Sequence, residues 1–456
     1  MVEPGEFGKN ALGWRYVEEF MEKLMKKLEK KYDTVILRGG IEYSSKIRFS
    51  NAAHDVSTYS IDDYLNIFVK KGDRYVETNI SSVATVDVDD VVRDVESIFK
   101  HSFEQEEYIP PDVGFEVYDI IPGVYNDGFF DTDHLYEIYE SIVDYDAGNI
   151  NKISGIISSE ASKSYILTSY GSRGELKSGR FSIRVRGFKD SQVSYTGSIL
   201  STSVDETQVS RMMEEIDNWL DISINPKLPE KISTRVVFTP YAFANLLSYM
   251  GFMLSAYMYI RGNSAFTGYL GQDIGSKAKL YDDARLESSP SVKTFDDEGL
   301  PTKRTVFFED GILKDLAFNN TLAKKYNRES NGHAGLVFPT PHNMIYVHEE
   351  NVARDLDEVL RVVDRGLLIT NLWYTRFSNY REGSLSTMQR DLGFYIEGGE
   401  LGGPVIGARL SMNIKDLVTK SIISTEPVEW ALPWDVQTVS KVGYVAIDDV
   451  QITTGF

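Results

Sequence analysis

The stretch Gly366–Val405, GLLITNLWYTRFSNYREGSLSTMQRDLGFYIEGGELGGPV, decides how the fold is read. Leu367–Ile369 is a short apolar run that predicts a strand. After it the spacing predicts a polar loop built around Arg376, Glu382 and Gly383, and then a β-hairpin. In that hairpin Phe394–Glu397 turns through Gly398-Gly399 into Glu400–Val405. A Gly-Gly pair between two apolar runs supplies the positive φ that a tight turn needs.

Working outward, the rest of Thr234–Phe456 is also strand-rich. Thr305–Phe308 and Ile312–Ala317 predict a hairpin turned by Asp310-Gly311, and FDDEGLPTKR (Phe295–Arg304) precedes it. Tyr241–Ile260 is twenty residues without a charge, long enough to cross a bilayer. It also holds Asn245, Ser248, Gly251, Ser255 and four tyrosines and follows the strand-like Thr234–Phe238, so a buried helix packed on a sheet is the reading.

Towards the N-terminus, Trp14, Val17, Met21, Leu24 and Leu28 form one apolar stripe at helical spacing. Strands are expected at Thr34–Leu37 and Lys46–Asn51, a hairpin at Leu65–Val69/Arg74–Glu77 through Gly72-Asp73, and a helix over Val88–Phe99. Pro110-Pro111 breaks the pattern until Asp131 or Thr132 caps a helix to about Tyr145. Strands at Ser164–Thr168, Phe181–Val185 and Gln192–Leu200 follow, then a helix opened by Asp205. Two prolines within Asn225–Pro229 mark the clearest boundary. The expected architecture is α+β: an N-terminal α/β domain over 1–225 (submodules about 14–105 and 111–225) and a β-rich C-terminal domain over 232–456 with a buried helix.

Composition narrows the function. Hydrophobic content of 42% and charged content of 25% are those of a globular protein. A net charge of −20 repels phosphate backbones, so direct nucleic-acid binding is not expected. The absence of cysteine excludes disulfides, thiolate metal sites and cysteine nucleophiles. MVEPGEFGKNALGWRY has no apolar signal core, which leads to the expectation of a cytoplasmic protein without a membrane span.

The six histidines form no ligand pattern. His342 and His348 share strand parity but stand about 20 Å apart. His134 sits in a capped first helical turn, His333 in an Asn-Gly-His-Ala-Gly loop where a turn role is expected, and His54 and His101 have no partner spacing. The carboxylates at Asp282-Asp283, Asp296-Asp297-Glu298 and Glu309-Asp310 are adjacent in sequence and therefore point apart, which predicts solvated or structural roles. There is no G-x-S-x-G elbow, and Gly398-Gly399 and Gly402-Gly403 lack the context of a phosphate cradle.

The collinear blocks Ile47–Asn51, FDDEGLPTKRTVFFEDGILKDLAFNNTLAKKYN, Glu329–Gly335, Pro339–Asn343 and G-F-Y-I-E-G-G-E-L…P-V resemble the TldD/PmbA ("modulator of DNA gyrase") family over most of Ile47–Gln451. That family pairs a zinc-bearing protease subunit, TldD, with a metal-free one, TldE or PmbA. In the active subunit a helix carries His-Glu and a second His, and a thiol near the C-terminus also serves. Laid on Pro240–Met253, the resemblance puts Ser248, Tyr249 and Met253 at the three positions, and no cysteine exists. It therefore implies the metal-free branch: no catalytic or metal-binding residue here, with zinc expected in a TldD-like partner subunit. The expected role is a non-catalytic subunit of a zinc metalloprotease acting on peptides or unfolded proteins. The alternative is a self-sufficient homodimeric peptide-binding or scaffold protein. A β-rich domain with a free edge could hold an extended peptide as an added strand.

Overall fold

The computed structural model describes residues 15–104 and 107–455 and shows a mixed α+β fold. Trp14 of the first apolar stripe lies outside the described residues; Val17, Met21, Leu24 and Leu28 are buried on the helix Tyr16–Leu28.

Strands up to Ser201 form one sheet in the order Arg74–Ser81, Ala53–Lys71, Thr34–Ser50, Lys152–Thr168, Arg173–Phe188, Glu116–Val117, with Ser194–Ser201 also paired to Arg173–Phe188. These strands are far longer than the sequence suggests. Thr34–Leu37 and Lys46–Asn51 belong to one strand of 17 residues, and Ser164–Thr168 is the end of another of 17. The reason is chemical alternation. Ile153, Ile157, Ala161 and Tyr165 face the core, while glycine, serine and charge occupy the intervening positions and imitate a loop. Gly39 looks like a break but allows close packing: a Cβ there would lie 2.8 Å from Met21 Sδ on the first helix. The helices Tyr16–Leu28, Val88–Lys100, Thr132–Val143 and Glu206–Asp221 bury their apolar stripes in the same core as the inward side of this sheet. A capping box of Asp205 and Gln208 starts the last of them.

From Ile232 onward the chain builds two further sheets. One runs Ile312–Leu313, Thr305–Glu309, Ala278–Asp282, Asn343–His348, Val439–Val442, Glu429–Ala431. The other has Leu372–Asn379 at one end and Glu400–Val405 at the other, with Ile232–Phe238 and Arg365–Ile369 parallel in its middle. The Asp310-Gly311 and Gly398-Gly399 turns form as expected, with φ of 53° and 80°, and of 63° and 80°. The polar loop expected around Arg376 does not exist as such. Leu372–Asn379 and Ser384–Gln389 are a second hairpin, with Gly383 at φ 81° in its turn. Two register shifts and a positive φ at Tyr374 interrupt its alternation, which is why the sequence reads as irregular.

Tyr241–Ile260 is interior but is not one helix. It forms Pro240–Met253 and Ala256–Ile260, broken where Leu254 and Ala256 bond through their backbones to Ala317. Among the described residues no helix is long and apolar enough to cross a membrane. Phe243, Leu246, Leu247 and Met250 are fully buried in one cluster with Phe307, Tyr346, Leu367, Ile369 and Val445, placing the longer helix against strands of both C-terminal sheets.

The two halves of the chain share a core, since Trp219 packs on Phe394 at 5.2 Å and both belong to the N-terminal cluster. Two buried carboxylates join them. Asp391, its side chain fully buried, accepts hydrogen bonds from Arg186 Nε (2.8 Å), Ser194 Oγ (2.8 Å) and Thr196 Oγ1 (2.7 Å) of the N-terminal sheet, and from Asn371 Nδ2 (2.6 Å). The second junction lies at the Asp296-Asp297-Glu298 run, for which solvated or structural roles were the expectation; Asp296 and Glu298 are buried. Asp296 accepts three backbone N–H bonds, from Glu298, Leu300 and Ala334. Glu298 accepts one, from Asn320 at 2.8 Å. Burial, and next the charge of Asp296, push the Glu298 carboxyl well above the carboxylate range. Burial raises Asp296 as well, to about 7, but its three backbone donors oppose that shift, so it gives up its proton before Glu298 does. The Tyr170 hydroxyl donates to the Glu298 carbonyl at 2.6 Å, and Gly299, at φ 71°, lets the loop approach Ser172 where a Cβ would stand 2.6 Å from the serine Cβ.

Replacing Asp391 with Ala strands Arg186, Ser194 and Asn371 without their acceptor and should destabilise the chain by about 3 kcal/mol in urea melts, whereas Ser194→Ala should cost about 1 kcal/mol. The Glu298 carboxyl predicts a pH effect of definite sign. A carboxyl raised in the folded state contributes stability below its unfolded pKa and loses it as pH rises through the folded value. Wild-type stability should therefore fall, relative to Glu298→Gln, as pH rises above the ordinary carboxylate range, as read by paired denaturant titrations.

Candidate functional site

The open face of the helix Pro240–Met253 creates a cleft. Thr239 caps the helix, its Oγ1 accepting from Ala242 N, and Pro240 occupies the first turn. Eleven of its fourteen residues are buried, which leaves Ser248, Tyr249 and Phe252 to line a cavity of ≈ 390 Å³. Met253 faces the core at 0% exposure. The structure thus brings Ser248 and Tyr249 to the cleft but not Met253.

The opposite wall comes from the unexpected hairpin. Phe377 stands on Leu372–Asn379 and Tyr380 in its turn; the rings of Tyr249 and Phe377 lie 5.8 Å apart, those of Phe377 and Tyr380 5.0 Å, and those of Phe252 and Tyr380 6.1 Å. Phe338 continues the arc, stacked on Phe252 at 5.2 Å. Because Leu372–Asn379 ends its sheet, this aromatic arc runs beside a strand edge.

The polar end is fixed by a chain of hydrogen bonds. Asn245 donates to Asp435 Oδ1 at 2.8 Å, and Thr375 Oγ1 donates to Asn245 Oδ1 at 2.7 Å while lying 2.8 Å from Thr387 Oγ1. Tyr249 Oη and Arg376 Nη1 both donate to the Thr375 carbonyl, at 2.8 and 2.7 Å. Burial raises the Asp435 carboxyl above its ordinary range. Sequence reasoning missed Phe252, Phe377, Tyr380, Asn245 and Asp435. The signal was present for two of them: Asn245, Ser248, Tyr249 and Phe252 recur at helical spacing in an otherwise aliphatic helix.

Two hydroxyls and a phenylalanine ring are not a zinc donor set, and neither hydroxyl is a general base near neutral pH. None of the six histidines lines this cleft. His54 contacts Ser57 at 2.8 Å, His101 the Ser97 carbonyl at 2.8 Å, and His134 Nε2 the Val204 carbonyl at 3.1 Å. His348 accepts backbone N–H bonds from Glu350 and Asn351.

The expectation that His333 is a lone turn residue is corrected, and of the two roles expected for Asp282, solvated or structural, the structure shows the structural one. His333 is buried, with Nε2 3.0 Å from Asp282 Oδ2 and Nδ1 3.0 Å from Asn331 Oδ1, and it stacks on His342 at 5.3 Å and 4°. Asp282 Oδ1 accepts the backbone N–H of His342 (2.8 Å) and Asn343 (2.5 Å). His342 Nε2 meets the Gly332 carbonyl at 3.1 Å, and burial pushes its imidazole down to about 3. Both His333 nitrogens, both Asp282 oxygens and His342 Nε2 have protein partners, so the cluster is a structural staple. Residues 51 positions apart meet there, which no local spacing reveals. Among the described residues no group of three or more His, Asp or Glu is placed to hold a metal ion.

Comparison with known proteins agrees with this geometry. Residues 231–454 match the PmbA/TldA metallopeptidase C-terminal domain. The chain is 26% identical over 241 residues to a metalloprotease PmbA homolog of Haemophilus influenzae, covering 49% of this chain and 50% of that protein. It is 28% identical over 203 residues to metalloprotease PmbA of Escherichia coli O157:H7, covering 41% of each. The matched stretch thus spans about half the length, or less, of these curated relatives. In fold it is similar to TldE from Thermococcus kodakarensis, with a TM-score of 0.80 at 21% identity over 95% of this chain and 100% of that one. It is likewise similar to a Thermotoga maritima protein named for modulation of DNA gyrase, with a TM-score of 0.82 at 18% identity over 96% and 100%. In fold the chain is like these structures along nearly its whole length, and the sequence match places its C-terminal half, residues 231–454, in the TldD/PmbA family.

Proposed function

We propose that this chain is the metal-free, TldE/PmbA-like subunit of a TldD/TldE-type zinc metalloprotease in the cytoplasm, acting on peptides or unfolded proteins. The observation that carries the reading is the open face of the Pro240–Met253 helix, where Ser248, Tyr249 and Phe252 present neither a metal ligand nor a base to a formed cleft, whose one carboxylate, Asp435, is bonded to Asn245. Hydrolysing a peptide at neutral pH needs an activated water, and a zinc-bearing partner would supply it. This chain would contribute the wall that holds substrate. The aromatic arc beside the Leu372–Asn379 edge suits an extended peptide, because main-chain bonds can be added at the edge while apolar side chains meet Phe252, Phe377 and Tyr380. The same arc supports a second reading, a homodimeric peptide-binding protein that works without a protease partner.

Four measurements test the proposal, and the first separates the two readings. Casein or an unfolded peptide should survive with this chain alone and be cleaved, in a chelator-sensitive way, when a zinc-bearing homologue is added. Chelator-insensitive cleavage by this chain alone refutes the proposal, and failure to associate with any zinc-bearing homologue favours the homodimer. Elemental analysis of the isolated chain should find no stoichiometric zinc after mild dialysis. Ser248→His, Tyr249→Glu and Met253→His together should not create activity, since the third position points into the core and the thiol is missing. Phe252→Ala with Tyr380→Ala should weaken peptide binding roughly tenfold or more with the fold intact by melting curve.

A further inference from the structure

The cleft on the open face of Pro240–Met253 is ringed by aromatic side chains and closed at one end by a carboxylate. Tyr249 and Phe252 come from the helix, Phe377 and Tyr380 from the facing hairpin, and neighbouring ring centroids lie 5.0 to 6.1 Å apart. Asp435 comes from elsewhere, the connection between Glu429–Ala431 and Val439–Val442. Among the described residues no lysine or arginine lines this cavity. Its ≈ 390 Å³ falls within the roughly 300–1,000 Å³ of small-ligand sites.

Asp435 is held in place but not neutralised. Its Oδ1 accepts from the amide of the fully buried Asn245 at 2.8 Å, and among the described residues no ion pair to it is formed. Two guanidiniums act on it only from a distance. Arg390 lies over the Trp373 and Trp434 rings, at 5.5 and 4.9 Å. Arg376 spends Nη1 on the Thr375 carbonyl, at 2.7 Å. Burial outweighs both and raises the Asp435 carboxyl. The rings and the carboxylate are independent features with one preference in common. Aromatic faces attract cations, and a carboxylate at the end of the cavity attracts them too. A purely apolar occupant would strip water from Asp435 and give nothing back.

We propose that this cleft is a specificity pocket for a cationic side chain of a bound peptide, arginine or lysine, with Asp435 as the counter-charge. The aliphatic stem of either side chain packs between the rings, and its charged head meets the carboxylate. A guanidinium can lie flat on a ring and offer two donors to one carboxylate, whereas an ammonium acts as a point charge. The excess of 68 acidic over 48 basic residues adds a long-range attraction for basic peptides. This inference rests on the reading of the cleft as a peptide site and states which peptides it prefers. Every group it uses belongs to this chain, so it needs no zinc-bearing partner.

The test is calorimetric titration of the isolated full-length chain with four short Gly/Ser-rich peptides, acetylated and amidated at their ends. They differ at one central residue: arginine, lysine, citrulline or leucine. The arginine or the lysine peptide should bind at least about tenfold tighter than the citrulline and leucine peptides, and the tighter of the two identifies the preferred cation. Asp435→Asn can still accept from Asn245 and should erase that preference, with binding of the leucine peptide as the control for an intact cleft. Tyr380→Leu keeps an apolar wall without a ring and should reduce the preference about threefold. Affinity for the arginine peptide should fall as pH is lowered through the carboxylate range, because arginine stays charged and only the protein's carboxyl titrates there. Equal binding of all four peptides, or tightest binding of leucine, overturns the proposal and leaves the peptide site standing; binding of none overturns both. A preference unaltered in Asp435→Asn or in Tyr380→Leu also overturns it. Failure to associate with a zinc-bearing homologue would end the protease reading and leave this binding result standing.

Discussion

Everything in the molecule depends on how one buried carboxylate is satisfied. Asp391 sits at the start of the Gly393–Glu397 hairpin, yet three of its donors, Arg186, Ser194 and Thr196, belong to a sheet completed by Ser201. A buried carboxylate with so many donors cannot be released without leaving its charge uncompensated. The hairpin is therefore fixed against the N-terminal sheet, and Phe394 is carried onto Trp219 as a consequence. Asn371 ties the same carboxylate to the turn that leads into Leu372–Asn379, so the strand edge of the cleft inherits its position from this junction.

The Glu298 loop makes a second junction of a different kind. It is a neutral carboxyl held by burial, with the Tyr170 hydroxyl and the Asn320 amide fixing its backbone and one oxygen. Asn320 also donates to the Ile109 carbonyl, and Thr321 accepts from Ile109 N, so the segment after the first helical module is clamped at the same place. A cavity of ≈ 590 Å³ on the N-terminal sheet exists because this loop region stands over a face that would otherwise be open.

Much of the fold is legible in the sequence wherever a single physical signal dominates. The Asp310-Gly311 and Gly398-Gly399 turns, the Asp205 cap and the apolar stripe through Met21 and Leu24 are all local, and all form. Reading fails where alternation is diluted. The 17-residue strands carry serine, glycine and charge on one face because that face lines a polar cavity, and the Leu372–Asn379 strand is hidden by its bulge. The site was legible only in part. Ser248 and Tyr249 could be placed through the family pattern, and the structure brings both to the cleft. Met253 could not be oriented without knowing which side of the helix the core occupies. Asp282 with His333 and Asn245 with Asp435 are pairs made by tertiary folding alone, across 51 and 190 residues.

Within Pro240–Met253 the residues divide into a buried majority and a small open face. Eleven of the fourteen residues are buried and must satisfy packing against two sheets, where loss of a large side chain costs about 2–5 kcal/mol. The three that face the cleft are only partly buried, with Tyr249 and Phe252 packed on the margin of the core. Of the three positions that the family pattern picks out, Ser248 and Tyr249 lie on this open face and Met253 lies in the core. Similarity of framework therefore identifies the family and is silent about catalysis. What distinguishes this chain within that framework is the open face of one helix, which holds Ser248, Tyr249 and Phe252.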